Sequence, residues 1–131
     1  MQYWNDLEGS TFFSMVFSNR IEIGEIKLFS IDIDSNQSLV TMAFDIREVP
    51  DKPPRKWQSA QYNACRIGIT CSEVESITIK NLPTNTPVKL TILGNGLRFK
   101  VTAISENSAI EFTTSFLRLR DPTVYLTETP F

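Results

Sequence analysis

Alternation of apolar and polar residues dominates the chain from about residue 22 onward. In LVTMAFDIRE, for example, Val40, Met42 and Phe44 occupy every second position. Because successive side chains of a β-strand point to opposite faces of a sheet, this period predicts strands that bury one face and expose the other. Similar runs follow short turn sequences, of which Gly94-Asn95-Gly96 is the strongest hairpin signal. The pattern therefore favours an antiparallel β architecture.

Two of the alternating runs change phase partway along. In EIKLFSIDID, Ile26 and Leu28 fall on one face, whereas Phe29 and its alternate successors fall on the other. Such a slip predicts a β-bulge. AIEFTTSFLRLR reads as one strand with a second slip after Phe116, and VYLTE reads as a last short edge strand.

Residues 10–18, STFFSMVFS, show the one convincing helical pattern. Ser10 follows Gly9 as a plausible N-cap, and the aromatic residues that follow recur at helical spacing. The sequence thus predicts a mainly β fold with one short N-terminal helix. We expect a bent antiparallel sheet of about six or seven strands, built as a sandwich or a half-open barrel, with the helix closing one end.

The length of the chain and its residue types exclude several classes of function. With 131 residues and no repeat or linker, residues 1–131 are expected to form a single β-rich domain. The chain contains no histidine, which excludes imidazole bases, Ser-His or Cys-His nucleophilic pairs and histidine-liganded zinc. It also lacks a glycine-rich phosphate loop. We therefore expect neither an enzyme nor a protein with a cofactor.

The two cysteines lie in the alternating run ACRIGITC. An extended chain rises about 3.3 Å per residue, so the Cα atoms of Cys65 and Cys71 would lie roughly 20 Å apart. A disulfide needs about 4.4 to 6.8 Å, so we expect two buried free thiols. A reducing compartment fits this, and the polar start MQYWNDLE does not resemble a signal peptide. These features favour a cytoplasmic location.

Asp32-x-Asp34-x-Asn36 imitates the opening of a calcium-binding loop. Gln37 stands where such a loop needs glycine, and Ala43 stands where it needs glutamate. Strands are predicted on both sides where helices would be required. We interpret the two aspartates as solvated side chains, and we predict no metal site.

The segment PDKPPR, followed by Lys56 and Trp57, has the spacing of a ligand for proline-binding domains. It lies between two strong strand patterns, however, so a rigid connection is the better interpretation. Pro53 and Pro54 remove two backbone donors and end the preceding strand. Trp57 then supplies an apolar anchor that holds the loop against the body of the domain.

Charge is unevenly distributed along the chain, whose net charge is −2. Residues 21–48 contain six acidic residues against two basic ones, and residues 49–66 contain one against four. The overall balance argues against nucleic acid or a membrane as the partner. The local contrast suggests a surface complementary to a basic protein.

One arrangement of motifs resembles a known family. Trp4 precedes LEGSTFFSMVF, the acidic run IEIGEIKLFSIDID follows, and Pro53, Pro54 and Trp57 precede the middle strands. This arrangement is similar to that of the immunity protein 50 family, and its most specific points are the Gly9-Ser10 pair and the Pro-Pro…Trp loop. Where a His-Asp-Ala-Glu-like run is expected, this chain has EIGE, of which only Glu25 matches.

The resemblance implies a bacterial immunity protein of a polymorphic or contact-dependent toxin system. Such a protein binds the C-terminal toxin domain of its partner, in many systems a nuclease, and neutralises it by occlusion without catalysis. We expect a monomer or weak homodimer when free, with no nucleic acid or membrane as partner. The contacts are expected from the acidic run, with two cations at the rim: Glu22, Glu25, Asp32, Asp34, Arg55 and Lys56.

Three other functions stay open from the residues alone. The main alternative is a small-ligand-binding β-barrel or sandwich, which requires an internal apolar cavity. A hydrolase would require two carboxylates that converge in a cleft. A structural subunit would require a stable homo-oligomer.

Overall fold

The computed structural model describes all 131 residues, and eight strands make up most of it. A single α-helix, α1 (Thr11–Val16), lies near the N-terminus, and Trp4–Asp6 and Arg55–Trp57 form single turns of 3₁₀ helix. The strands are β1 (Glu25–Asp34), β2 (Leu39–Ile46), β3 (Ala64–Ser72), β4 (Glu75–Lys80), β5 (Val88–Asn95), β6 (Arg98–Ile104), β7 (Ala109–Thr114) and β8 (Phe116–Tyr125).

All eight strands belong to one open antiparallel sheet, in the order β4-β7-β6-β5-β1-β2-β3-β8. Strand β1 pairs with β2 along most of its length, but with β5 only through Glu25 and Ile26. The sheet therefore consists of two four-stranded parts, β1-β2-β3-β8 and β4-β7-β6-β5, that are joined by a short corner.

The two parts meet again where β7 passes into β8 through the single residue Ser115. The buried hydroxyl of Thr114 donates a hydrogen bond to the carbonyl oxygen of Ser72, at the end of β3, over 2.6 Å. The N–H of Ser115 donates to the same oxygen over 3.2 Å. The predicted mainly β fold, a bent antiparallel sheet with one short N-terminal helix, is confirmed.

The strand count differs from the expected six or seven. The run AIEFTTSFLRLR is not one strand, because the chain turns a corner at Ser115 and continues as β8. VYLTE is not a separate strand either, since β8 continues to Tyr125. A register shift opposite Ile67 accommodates Pro122, which has no N–H to donate to the ladder.

The bulge predicted in β1 is confirmed. Leu28 pairs with Phe44 and Ser30 pairs with Ala43, so Phe29 is the extra residue. The bulge absorbs the phase slip, and Ile31 therefore pairs with the buried Met42 and stays on the core side.

Helix α1 closes one end of the sheet beside β8. It ends at Val16, earlier than the predicted residue 18, because Phe17 is extended (φ −120°, ψ 138°). The rings of Phe13 and Phe17 nevertheless pack at 4.7 Å between centroids, and both are buried. Both aromatic side chains are thus buried in the core although the helix is shorter than predicted. None of the helices has the length and apolar composition that crossing a bilayer requires.

The inward faces of the strands and helix α1 form one core cluster of 24 buried residues. Cys65 and Cys71 belong to it, lie on the same face of β3 as Ile67 and Ile69, and form no disulfide. Burial raises the pKa of each thiol to about 12, and at Cys65 the negative charge of Asp45 adds to the effect. Both cysteines are buried free thiols, as predicted.

We expect both thiols to resist alkylation in the folded protein. Because the thiolate is the reactive form, a pKa near 12 in place of 9.0 lowers its fraction at pH 8 by roughly a thousandfold. Labelling with iodoacetamide, followed by intact-mass spectrometry, should modify neither cysteine in the native protein and both in denaturant. Rapid labelling of the native protein would contradict the packing of β3 described here.

Candidate functional site

The charged residues proposed as a binding surface lie at two opposite ends of β1. Glu22 and Glu25 lie at or before its start, whereas Asp32 and Asp34 lie at its end. Nine residue steps separate Glu25 from Asp34, which is about 30 Å in a strand. The structure therefore does not bring these four carboxylates into one patch.

The acidic residue at the start of β1 has its charge largely matched within the chain. Arg47, which follows β2, donates to Glu25 through Nη2 over 2.9 Å, and both side chains are about half exposed. Glu22 forms an isolated backbone bridge with Tyr3 in the N-terminal segment, and its side chain is exposed. Glu25 thus offers less net charge to a partner than the sequence suggests.

The two aspartates at the end of β1 are exposed and form no ion pair within the chain. They pair across the ladder with Thr41 and Leu39, on the face of β1 and β2 opposite the core. Asp34 also accepts a hydrogen bond from the N–H of Gln37 over 3.2 Å, which closes the turn to β2. Asp32 and Asp34 therefore form the unmatched acidic end of the β1–β2 hairpin.

Arg55 and Lys56 lie on the proline loop, near the start of β1 and far from Asp32. The loop begins after Arg47, whose partner is Glu25, so it extends from the opposite end of the hairpin. Lys56 Nζ lies 5.5 Å from the centroid of the Phe12 ring, a cation–π arrangement. The two cations could contact the same partner as Glu25, but they do not border Asp32.

The proline loop itself packs against α1, as predicted. Trp57 meets Phe12 edge-to-face at 5.6 Å between centroids, and the N–H of Lys52 donates to the carbonyl oxygen of Val16 over 3.0 Å. Asp51 accepts from the N–H of Ser18 over 2.8 Å. Hydrogen bonding from Ser18, chiefly by its side chain, lowers the pKa of the Asp51 carboxyl. Loop and helix thus form one rigid unit.

The structure explains why glycine stands at position 9 of the Gly9-Ser10 pair. Gly9 has φ +85°, and a Cβ at this position would lie 2.7 Å from the carbonyl oxygen of Leu119 in β8. Only glycine accommodates both this φ value and this close approach without strain. Ser10 is the N-cap residue of α1, as predicted, and its carbonyl oxygen accepts from the N–H of Ser14 over 2.9 Å. Its hydroxyl makes no capping bond and donates instead to the carbonyl oxygen of Asn5 over 2.8 Å. The pair joins the N-terminal segment to β8.

The outer face of the β1-β2-β3-β8 part carries a cluster of aromatic and charged side chains that the sequence does not predict. Arg66 Nε donates to one carboxylate oxygen of Asp45 over 2.9 Å, and its Nη2 donates to the Tyr125 hydroxyl over 3.0 Å. The Tyr125 hydroxyl donates in turn to the other oxygen of Asp45. Phe29 completes the cluster, because the centroid of its ring lies 3.7 Å from the guanidinium carbon of Arg66.

We call Phe29, Asp45, Arg66 and Tyr125 the arginine cluster. Asp45 is only 8% exposed, whereas Phe29 is 64% exposed. Burial, followed by the hydrogen bond to Asp45, raises the pKa of Tyr125. Both carboxylate oxygens of Asp45, the Tyr125 hydroxyl and two guanidinium nitrogens are therefore engaged within the cluster, whereas most of the Phe29 side chain is exposed. The phase slip at Phe29 was the only sequence signal of this arrangement.

Beside the arginine cluster, two small residues, Ala43 and Gly68, lie next to each other on the outer face. Gly68 in β3 pairs with Ala43 on one side and with Arg120 on the other. A shallow depression of about 280 Å³ lies over these three residues and is open to solvent. The face therefore has a flat centre, with Asp32 and Asp34 on its β1 side and arginines on its β8 side.

Comparison with known proteins gives one match. The family model described as Immunity protein 50 matches residues 10–125, which include α1 and all eight strands. No curated protein and no solved structure matches the chain. The match covers most of the chain, including Ser10 and the proline loop, and it begins one residue after Gly9. The chain belongs to the immunity protein 50 family.

Proposed function

We propose that this immunity protein binds the C-terminal toxin domain of its own toxin system and neutralises it by occlusion, without catalysis. Membership of the immunity protein 50 family is the observation that carries the proposal. The rigid attachment of the proline loop and the self-contained arginine cluster support it, because pre-organised surfaces lose little entropy on binding.

The chemistry of the exposed surface favours a basic partner. Asp32 and Asp34 have no cation of their own, so a partner that supplies one gains charge complementarity. A nuclease fits this requirement, because its substrate groove is basic and can accept carboxylates in place of phosphates. We propose that Glu22, Glu25, Arg55 and Lys56 contribute contacts at the other end of the hairpin.

The proposal is tested with the toxin domain encoded next to this protein. We expect a 1:1 complex by isothermal titration calorimetry and loss of the toxin domain's activity, nuclease activity included, when the two are mixed. Growth of cells that express the toxin should be restored by co-expression. A toxin domain that neither binds the protein nor loses activity in its presence would overturn the proposal.

Reversal of the two unmatched acids is expected to slow association. The double variant Asp32→Lys and Asp34→Lys should lower the association rate by roughly tenfold at low salt and reduce its salt dependence. The single reversals Asp32→Lys and Glu25→Lys change the net charge equally and form the matched pair. Glu25→Lys should have the smaller effect, because Arg47 already pairs with Glu25. Equal effects at both places, measured by stopped-flow fluorescence, would contradict the assignment of Asp32 and Asp34.

Two further properties belong to the proposal. We propose that the protein acts in the cytoplasm of the producing cell, as a monomer or weak homodimer until it meets the toxin. The alternative of a small-ligand carrier gains no support from the structure, because 24 buried side chains pack into one core cluster and the depressions described above are open at the surface.

A further inference from the structure

Strand β1 has no partner along one edge for most of its length. It pairs with β5 only through Glu25 and Ile26, and from Lys27 to Asp34 it pairs with β2 alone. No backbone hydrogen bond from a loop reaches this stretch either. The sheet therefore contains two open edges near its middle, one on β1 and one on the stretch of β5 that has left β1, in addition to the two edges at its ends.

The β1 edge is the most regular of these four. On β5, the N-terminal amino group of Met1 already donates to the carbonyl oxygen of Ile92 over 3.0 Å. Strand β4 has a register shift between Glu75 and Thr78, and Ser76 within it has φ +56°. Strand β8 contains Pro122, and the N–H of Leu119 in β8 is already bonded to the carbonyl oxygen of Glu8. Bulges, prolines and covering segments are the usual means by which edges avoid pairing.

By contrast, β1 runs without a break beyond its bulge. Residues 30–34 pair one for one with residues 43–39 of β2, so five residues keep strict register. A stretch of five residues is about 17 Å long, which is an ordinary strand length. It offers a template for one more strand.

A groove runs along this open edge. Four consecutive residues of β1, 28–31, face residues 82–85 of the β4–β5 loop across a depression of about 430 Å³. Farther along β1, Ile33 faces Ile77 of β4 across a second depression of about 190 Å³. Leu82 is 64% exposed and Ile33 is 51% exposed, so the groove has apolar walls that nothing in the chain covers.

The charges along the edge indicate what would fill the groove. Asp32 and Asp34 point to the outer face of β1. Ile31 and Ile33, which alternate with them along the strand, point to the opposite face and line the groove. A strand added beside β1 would place its own side chains opposite these residues on the same two faces. Its complement therefore alternates basic residues with apolar ones.

We propose that an extended segment of the cognate toxin domain, with alternating basic and apolar residues, adds to β1 as an extra strand. The inference rests on the proposed function and specifies how the complex forms. Main-chain hydrogen bonds to residues 30–34 provide affinity, and the apolar groove together with Asp32 and Asp34 selects the segment.

A second copy of this chain fits the edge less well. Two β1 strands related by a two-fold axis near Asp32 would place Asp32 opposite Asp32 of the other copy. An axis near Ile33 would place Asp32 opposite Asp34. Like charges directly opposed across a strand pair are destabilising, so the edge favours a different, basic partner.

Amide hydrogen exchange tests the proposal directly. In the free protein, the amides of residues 28–34 that point away from β2 should exchange rapidly, since they have no acceptor. In the complex with the toxin domain, the same amides should exchange at least about 100-fold more slowly. Protection of these amides in the absence of toxin, at rates that depend on protein concentration, would instead show pairing between two copies and would overturn the proposal.

A pair of variants gives an independent test. Ile33→Lys places a cation in the groove against the apolar side chains of a segment that is itself basic, and it should weaken toxin binding by about tenfold or more. Ile79→Lys, at an exposed isoleucine on the edge strand β4, is the matched control and should leave binding unchanged. Thermal unfolding of both variants establishes that each is folded before binding is measured.

The possible outcomes separate this inference from the proposed function. If the toxin domain binds the wild-type protein but the β1 amides stay unprotected and Ile33→Lys binds normally, strand addition is wrong and the immunity function stands. If the toxin domain does not bind the wild-type protein at all, the proposed function itself fails.

Discussion

Replacement of Gly68 by alanine is expected to lower the free energy of unfolding by more than about 3 kcal/mol. A Cβ at this position would lie 2.3 Å from the carbonyl oxygen of Met42, a backbone atom of the neighbouring strand. Real Cβ atoms do not approach an oxygen this closely, so one strand must move. Because Met42 and Gly68 both lie inside the β2–β3 ladder, such a movement disrupts hydrogen bonds on both strands.

Gly94→Ala is the matched control for this substitution. Gly94 also lies in a strand, but its Cβ would meet nothing within 4 Å. We expect this variant to change stability by less than about 1 kcal/mol. Urea denaturation monitored by the two tryptophans measures both variants. If Gly68→Ala proved as stable as Gly94→Ala, the close packing of β2 on β3 would be wrong.

The second large effect is expected at Arg66. Arg66→Met should lower the free energy of unfolding by about 2 kcal/mol, because it leaves the carboxylate of Asp45 nearly buried without its cation. Fully buried pairs lose roughly 3–5 kcal/mol in such experiments. We expect less here since 28% of the Arg66 side chain remains exposed to water. The methionine also removes the cation–π contact that the guanidinium makes with the Phe29 ring.

Two comparisons isolate the charge effect from the loss of packing. Arg47→Met breaks the ion pair with Glu25, whose partners are both about half exposed, and should change stability by less than about 1 kcal/mol. The double variant Asp45→Asn with Arg66→Met removes both charges and should recover part of the loss. If the double variant were less stable than Arg66→Met alone, a buried unpaired charge would not explain the result.

The local features of the fold were predictable because they depend on short stretches of sequence. The period of two marked the strands, and the phase slip at Phe29 marked the bulge that the structure contains. The corner at Ser115 was missed because alternation runs through it without interruption. It depends on the hydrogen bonds from Thr114 and Ser115 to Ser72, a residue more than 40 positions away.

The same limit applies to the candidate site. The acidic run was visible in the sequence, yet its charges could not be sorted into matched and unmatched ones without the position of Arg47. Asp45 and Arg66 counted only as charges, because their pairing depends on the register of β2 with β3. The open edge of β1 was equally hidden, since it depends on how far β5 follows β1 before the two diverge.

The pairing of β8 with β3 has a consequence for the order in which the sheet is completed. β8 pairs with β3, whose residues are synthesised about 50 positions earlier. At roughly 5–20 residues per second, a ribosome needs about 3–10 s to extend from Ser72 to Tyr125. During that interval β3 lacks one neighbour, and pairings this distant in sequence also form slowly. The outer face of the β1-β2-β3-β8 part therefore takes its final form only after β8 has paired, because Tyr125 in β8 supplies the hydroxyl that joins Arg66 and Asp45.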